Sequence, residues 1–264
     1  MDIWDLHCHL PSDRVPGDAL TEQMGNMLEI AGRVDVDKIC PFLHVGEPKQ
    51  NEEVRRALER YRGRALGFVY VEDLGNTRRA IGKLERWVGE GPMVGMKLGG
   101  GSGIASKPEY DPVFEKAIEL NAVIFQHTWT KLGGDPPRYG GGNFPKESTP
   151  QDLVEVAARY PDYPFIMGHA GGDWELGIRV ARPHDNVFVG IAGGFPANGF
   201  VETAVRELGA ERVIYGSDVT GRSFASQVAK VRGANISEDE KQLIFKDNLH
   251  GLMRPLLREK GIDV

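Results

Sequence analysis

Two histidines one residue apart, His7 and His9 in Asp5-Leu-His-Cys-His9, stand near the start of the chain. On a strand alternate side chains share a face, so Asp5, His7 and His9 point the same way, and the two imidazoles can grip one divalent ion. Further along, Lys97, His127, His169 and Asp218 each close an apolar run. Imidazole nitrogens and a carboxylate oxygen suit zinc, and also manganese or iron. An ion held with one position open activates a water or polarises a substrate oxygen, and a neighbouring imidazole takes and returns the proton. Taken singly, His127 or His169 reads as a satisfied core histidine. The metal reading depends on a fold that brings them together.

The elements that must do this alternate regularly. Apolar strand runs end near residues 9, 44, 72, 97, 127, 169, 195 and 218. Helical periodicity fills the intervals: 18–32, 51–62, 77–88, a helix opened by Asp111-Pro112, one from Thr149-Pro150 to Tyr160, then 174–180, 200–208, 223–231 and 237–257. The repeat is about 30 residues, the size of one βα unit. Most strands are continuous apolar runs, the mark of a parallel sheet buried on both faces. The expected fold is an α/β (β/α)8 barrel, a single domain over 1–264 with a helical C-terminal tail at about 237–260. An open doubly wound sheet would want a glycine-rich dinucleotide fingerprint after the first strand, which is missing.

In such a barrel the chemistry lies at the C-terminal strand ends. There the sequence places His7 and His9 on strand one, Lys97 on four, His127 on five, His169 on six and Asp218 on eight. His44 ends strand two and is ambiguous, whereas His184 and His250 fall in a loop and a helix and read as structural or solvent-facing. Lys97 has three readings: a carbamylated bridging ligand, a substrate contact, or a buried amine paired with an acid. Asp5 lies deeper on the histidine face, and Cys8 points the opposite way, toward the helices. The loop 130–148 is rich in Gly and Pro, carries Lys131, Arg138, Tyr139 and Lys146, and has the length of a lid. Trp129 shares parity with His127 and could stack on a ring or lactone; Arg138 could pair with a carboxylate. Phe195 offers an apolar wall. The run 99–103 lacks the Gly-Lys-Ser or Gly-Lys-Thr of a phosphate loop.

The totals narrow the partners. The chain has 264 residues, a formal charge of −6, and Lys and Arg dispersed rather than striped, which disfavours nucleic acid. Two cysteines are too few for a disulfide framework and suit a reducing compartment. No apolar run approaches the roughly 20 residues of a membrane span. No basic and apolar leader opens the chain, so a cytoplasmic location is expected. The expected partner is a small molecule, with self-association into a homo-oligomer left open.

The segments Asp5-Leu-His-Cys-His9, Gly95-Met-Lys-Leu98, Gln126-His127, Gly168-His-Ala-Gly-Gly172, Gly216-Ser-Asp218 and Asp247-Asn-Leu249 resemble, in order and over nearly the whole chain, the amidohydrolase superfamily. The match is to its amidohydrolase 2 branch, which includes decarboxylases of aromatic and muconate-type acids and dicarboxylate lactonases. The resemblance implies that His7, His9, His127 and Asp218 bind the metal, and that His169 positions or activates the water or substrate. One metal is usual in that branch; relatives with a carbamylated lysine hold two. The opening segment also resembles metal-dependent deoxyribonucleases of the TatD type. Those carry a glutamate on strand four, where this chain has Gly95-Met-Lys-Leu98, and the charge offers no phosphate-binding surface.

The expected activity is a metal-dependent hydrolase of a small carboxylated ester, lactone or amide, with a proton shuttled by His169 or Asp218 and substrate contacts from Lys97, Trp129 and Arg138. The alternative is a metal-dependent non-oxidative decarboxylase of an aromatic or unsaturated acid. A non-catalytic barrel is disfavoured by the full set of ligand types.

Overall fold

The computed structural model describes residues 2–10, 19–130, 143–193 and 197–262. Eight parallel strands lie in the order β1 to β8, each paired with the next in the chain. They are β1 (Ile3–His9), β2 (Val36–Leu43), β3 (Phe68–Val71), β4 (Gly95–Leu98), β5 (Val123–Gln126), β6 (Phe165–Met167), β7 (Val187–Gly190) and β8 (Val213–Ile214). Between them run α1 (Ala19–Gly32), α2 (Pro48–Arg60), α3 (Thr77–Leu84), α4 (Asp111–Glu119), α5 (Pro150–Arg159), α6 (Trp174–Ala181) and α7 (Phe200–Leu208). After β8 come α8 (Phe224–Arg232), α9 (Glu238–Gln242) and α10 (Asn248–Glu259). This is the expected (β/α)8 barrel.

The sheet closes on itself without a long final strand. The eighth run was expected over 212–217, but only Val213–Ile214 forms regular ladder. Beyond it the chain still pairs with β1: Leu6 N donates to Tyr215 O at 3.3 Å, Asp218 N to His7 O at 2.8 Å and His9 N to Val219 O at 2.5 Å. Strand six likewise stops at Met167, where Gly168–Gly171 turns out of the sheet.

Why the sequence folds this way is visible in each element. Every residue of β4 and β5 is buried, as the apolar runs require for strands covered by helices on one side and barrel interior on the other. Thr149 caps α5 reciprocally with Asp152, and Pro150 fills its first turn. Ser237 and Glu240 form the same box at α9. Inside the barrel Phe42, Phe68 and Phe125 make an aromatic floor, with ring centroids 6.0 Å apart for Phe42–Phe68 and 5.3 Å for Phe42–Phe125. The chemistry-bearing side chains stand on that floor.

Candidate metal centre

His7 rests on the floor, its ring 5.0 Å from Phe42 and 4.8 Å from Phe125. Three donor atoms meet above it. His7 Nε2 lies 3.3 Å from His9 Nε2, and Asp218 Oδ1 lies 3.3 Å from the first and 3.6 Å from the second. Donors about 2.1 Å from a shared tetrahedral ion stand about 3.4 Å from one another, so this triangle has the edge such an ion needs. His169 joins from the turn after β6: ligand atoms of His7, His169 and Asp218 all lie within 4.8 Å of one another.

The electrostatics favour the same use. Burial, and then the Lys97 amine and the neighbouring imidazoles, hold His7 well below its ordinary pKa. Burial likewise pulls His9 down to about 3 and His169 well below its usual range. Neutral imidazoles keep the lone pairs a metal requires. Asp218 is raised by burial, with Lys97, Arg222 and Lys230 opposing. Its carboxylate has no protein cation bonded to it among the described ion pairs beyond the two histidines. A divalent ion would supply the missing charge.

The backbone is shaped around these groups. His169 and Asp218 both adopt positive φ, 58° and 61°. Each such residue costs about 1–3 kcal/mol and persists only where its surroundings hold it. Gly193, itself at φ 74°, passes so close that a Cβ there would lie 2.7 Å from His169 Nδ1 and 2.9 Å from Asp218 Oδ2. Asp5 holds β1 to the segment after β8, as Oδ1 accepts from His7 N at 2.9 Å and Ser217 N at 2.8 Å. Burial pushes Asp5 up to about 6 against those hydrogen bonds.

His127 stands at the end of β5 with its ring 4.8 Å from His169. It is not one of the three residues within 4.8 Å of each other; its Nε2 lies 2.9 Å from Glu147 Oε1. Burial lowers its pKa, Glu147 partly offsetting this. Trp129 stacks on His127 at 6.2 Å and meets His169 edge-on at 5.4 Å, so it faces the site. Lys97 is 1% exposed, over the Phe125 and Phe42 rings at 3.8 and 4.4 Å, and Nζ finds no hydrogen-bond partner among the described residues. Burial drives it well below the ordinary lysine value.

His44 is set apart, its Nδ1 3.3 Å from Glu72 and its ring stacked on Tyr70 at 4.2 Å. His250 packs edge-on against Trp4 at 5.1 Å, a structural use. Arg138, Lys131, Tyr139 and Phe195 lie outside the described residues. Glu147 and Gly193 were not anticipated. A glutamate near the end of a Gly- and Pro-rich loop carries no periodic signal, and a Gly-Gly pair after a strand reads simply as a turn.

The profile of the amidohydrolase family matches residues 5–248. Among solved structures the chain is similar to a 2,6-dihydroxybenzoate decarboxylase from Rhizobium, at 18% identity over 96% of this chain and 99% of that one, TM-score 0.69. It is similar to a dihydroxybenzoic acid decarboxylase from Polaromonas with bound manganese and the inhibitor 2-nitroresorcinol, at 17% identity over 97% of both chains, TM-score 0.70. It also resembles an uncharacterised TIM-barrel protein from Bordetella bronchiseptica, at 14% identity over 97% of this chain and 99% of that one, TM-score 0.74. Such identities carry the fold. No curated protein matches the chain. Among the described residues no helix is long and apolar enough to cross a membrane.

Proposed function

Because the chain belongs to the amidohydrolase family and is an enzyme of that family, we propose that it is a metal-dependent decarboxylase releasing carbon dioxide, without an oxidant, from a small aromatic or unsaturated acid. The observation that carries this reading is the triangle of His7, His9 and Asp218 donors, standing among aromatic side chains at the C-terminal mouth of the barrel. The solved structures named as dihydroxybenzoate decarboxylases support it, and they move the reading from hydrolysis, the sequence-based expectation, toward decarboxylation.

His7, His9 and Asp218 would hold the ion, with His127 or His169 completing the set. When bound, it supplies positive charge to a substrate carboxylate and a neighbouring oxygen. Zinc, manganese and iron all accept this nitrogen and oxygen set. The manganese of the Polaromonas protein makes that ion the first to test.

The chain's own groups would do the rest. Trp129 gives a face on which a planar acid can lie. His169 Nδ1 lies 3.2 Å from Ala192 O, so its proton sits there and Nε2 offers a lone pair to the site. The proton for the carbon that loses carbon dioxide would come from water through His169 Nε2, which lies in one group with His7 and Asp218. The surrounding aromatic groups keep the carboxylate poorly hydrated, which favours loss of the charge it carries.

Hydrolysis of an ester, lactone or amide is the second reading. It is favoured by His169 and Asp218 lying in one group with His7, an arrangement also fit to take a proton from water. The test incubates manganese-loaded protein with aromatic acids, unsaturated acids and lactones. Carbon dioxide release sustains the proposal, whereas ring opening of a lactone with no carbon dioxide from any acid overturns it.

A further inference from the structure

Glu147 is a buried carboxylate, 4% exposed, brought to the end of β5 by the returning segment 143–148. The return is firmly seated. Trp129 N donates to Ser148 O at 3.0 Å. Ser148 Oγ accepts from Ala105 N at 3.0 Å and donates to Gly103 O at 3.1 Å. Asn143 Nδ2 donates to Trp129 O. Glu147 Oε2 accepts from Phe144 N at 3.0 Å, which turns Oε1 to His127 Nε2 at 2.9 Å. Gly100 completes the fit, since a Cβ there would already touch both partners at 3.3 Å.

No lysine or arginine pairs with Glu147 among the described ion pairs; His127 is its partner. A buried carboxylate is costly unless bonded, and an ionised one can only accept. The proton between the two groups therefore belongs on His127 Nε2. A neutral imidazole has one proton, so its lone pair is left on Nδ1. We propose that Glu147 is a positioning residue that fixes His127 as the Nε2–H tautomer, so that Nδ1 is the nitrogen offered to the divalent ion. The inference rests on the metal-binding half of the function proposed above and is independent of the reaction. Carboxylate partners of this kind orient ligating histidines and raise their basicity; their loss costs about 10–100-fold in metal affinity.

The test strips the full chain of metal and titrates it with manganese against a competing chelator. E147L should raise the dissociation constant about 10–100-fold, E147Q, which keeps an uncharged acceptor, less, and E147D least. H127A and the H127A/E147L pair should bind equally weakly, because Glu147 acts through His127. A second measurement needs no variant: long-range proton–nitrogen spectra of labelled protein should show His127 protonated at Nε2, with Nδ1 shifting as metal is added. The proposal is overturned by E147L within about threefold of wild type, by additive losses in the pair, or by a proton on Nδ1. A wild-type chain that binds no manganese or zinc would overturn the metal centre as well, a result distinct from unchanged affinity in E147L.

Discussion

Lys97 is a costly residue to bury. Its amine is buried against two phenylalanine rings, has no hydrogen-bond partner among the described residues, and is driven by burial well below the ordinary lysine value. Once the proton is lost the rings offer only weak N–H···π contact. An orphaned buried polar group costs about 1–3 kcal/mol, so Lys97→Met should stabilise the metal-free protein by about that amount in urea denaturation. If the amine serves the site, the same substitution lowers kcat; a destabilised variant would show that Lys97 has a partner in solution. Gly193 makes the opposite case. Gly193→Ala places a methyl group against His169 and Asp218 on a backbone at φ 74°. About 1–2 kcal/mol of backbone strain is expected, and a displacement of the pair by under an ångström should cut kcat by about 100-fold. Stability curves and steady-state rates on the same preparation would check both numbers. The histidines and Asp218 could be picked out of the sequence because each terminates an apolar run. Glu147 could not, since its partner lies 20 residues back across a loop that no periodicity describes.

The decisive element is the weakest one, β8 and the segment that follows it. A two-residue strand cannot close a barrel alone; backbone bonds between β1 and the segment after β8 continue the closure, and side chains reinforce it. Asp5 Oδ1 gathers the amides of His7 and Ser217, while Asn248 Nδ2 donates to Ala210 O at 2.7 Å and Val213 O at 2.8 Å, tying α10 to the same edge. Asp218 is thereby held opposite His7 by the closure itself, with Asp218 N bonded to His7 O. Asp5→Ala strands two buried amides and should destabilise by about 2–4 kcal/mol, read from urea curves. Burial also gives this carboxyl a pH signature. Its pKa is raised to about 6 in the folded chain from about 3.9 unfolded. The folded state therefore binds more protons in that window, and the stability linked to protonating Asp5, full below about pH 4, is lost as pH rises through about 6. Asp5→Asn should flatten that part of the stability profile of the metal-free protein; an unchanged profile would mean the carboxylate is fully compensated by its hydrogen bonds. The strand existed in the sequence as 212–217, but its early end did not. Regular ladder gives way there to irregular backbone bonds with β1, to the Asp5 carboxylate and to the Ser217 hydroxyl donating to His7 O, which hydropathy does not encode.

For the molecule as a whole, the barrel was legible because parallel strands covered on both faces must be continuously apolar, and eight such runs at the spacing of a βα unit leave few other topologies. The same geometry explains why the candidate site is at one mouth: the ends of β1, β5, β6 and β8 and the segments just after them meet there, so His7 and Asp218, 211 positions apart, become neighbours at 3.3 Å. Such a convergence of neutral imidazoles and a buried carboxylate is itself unfavourable without a cation, which makes metal binding and folding one linked equilibrium. An ion present at about 100 times its dissociation constant should add about 2.7 kcal/mol to the unfolding free energy. His9 is the proposed ligand that isolates this term, because its side chain is 42% exposed whereas His7 is fully buried. His9→Ala should change the metal-free stability by no more than about 0.5 kcal/mol, as expected of a surface substitution. The same variant should lose most of the metal-induced gain, while His7→Ala should lose both the gain and part of the basal stability. Urea curves with manganese and with chelator decide it. An H9A protein that keeps the full increment would place the ion away from the β1 histidines.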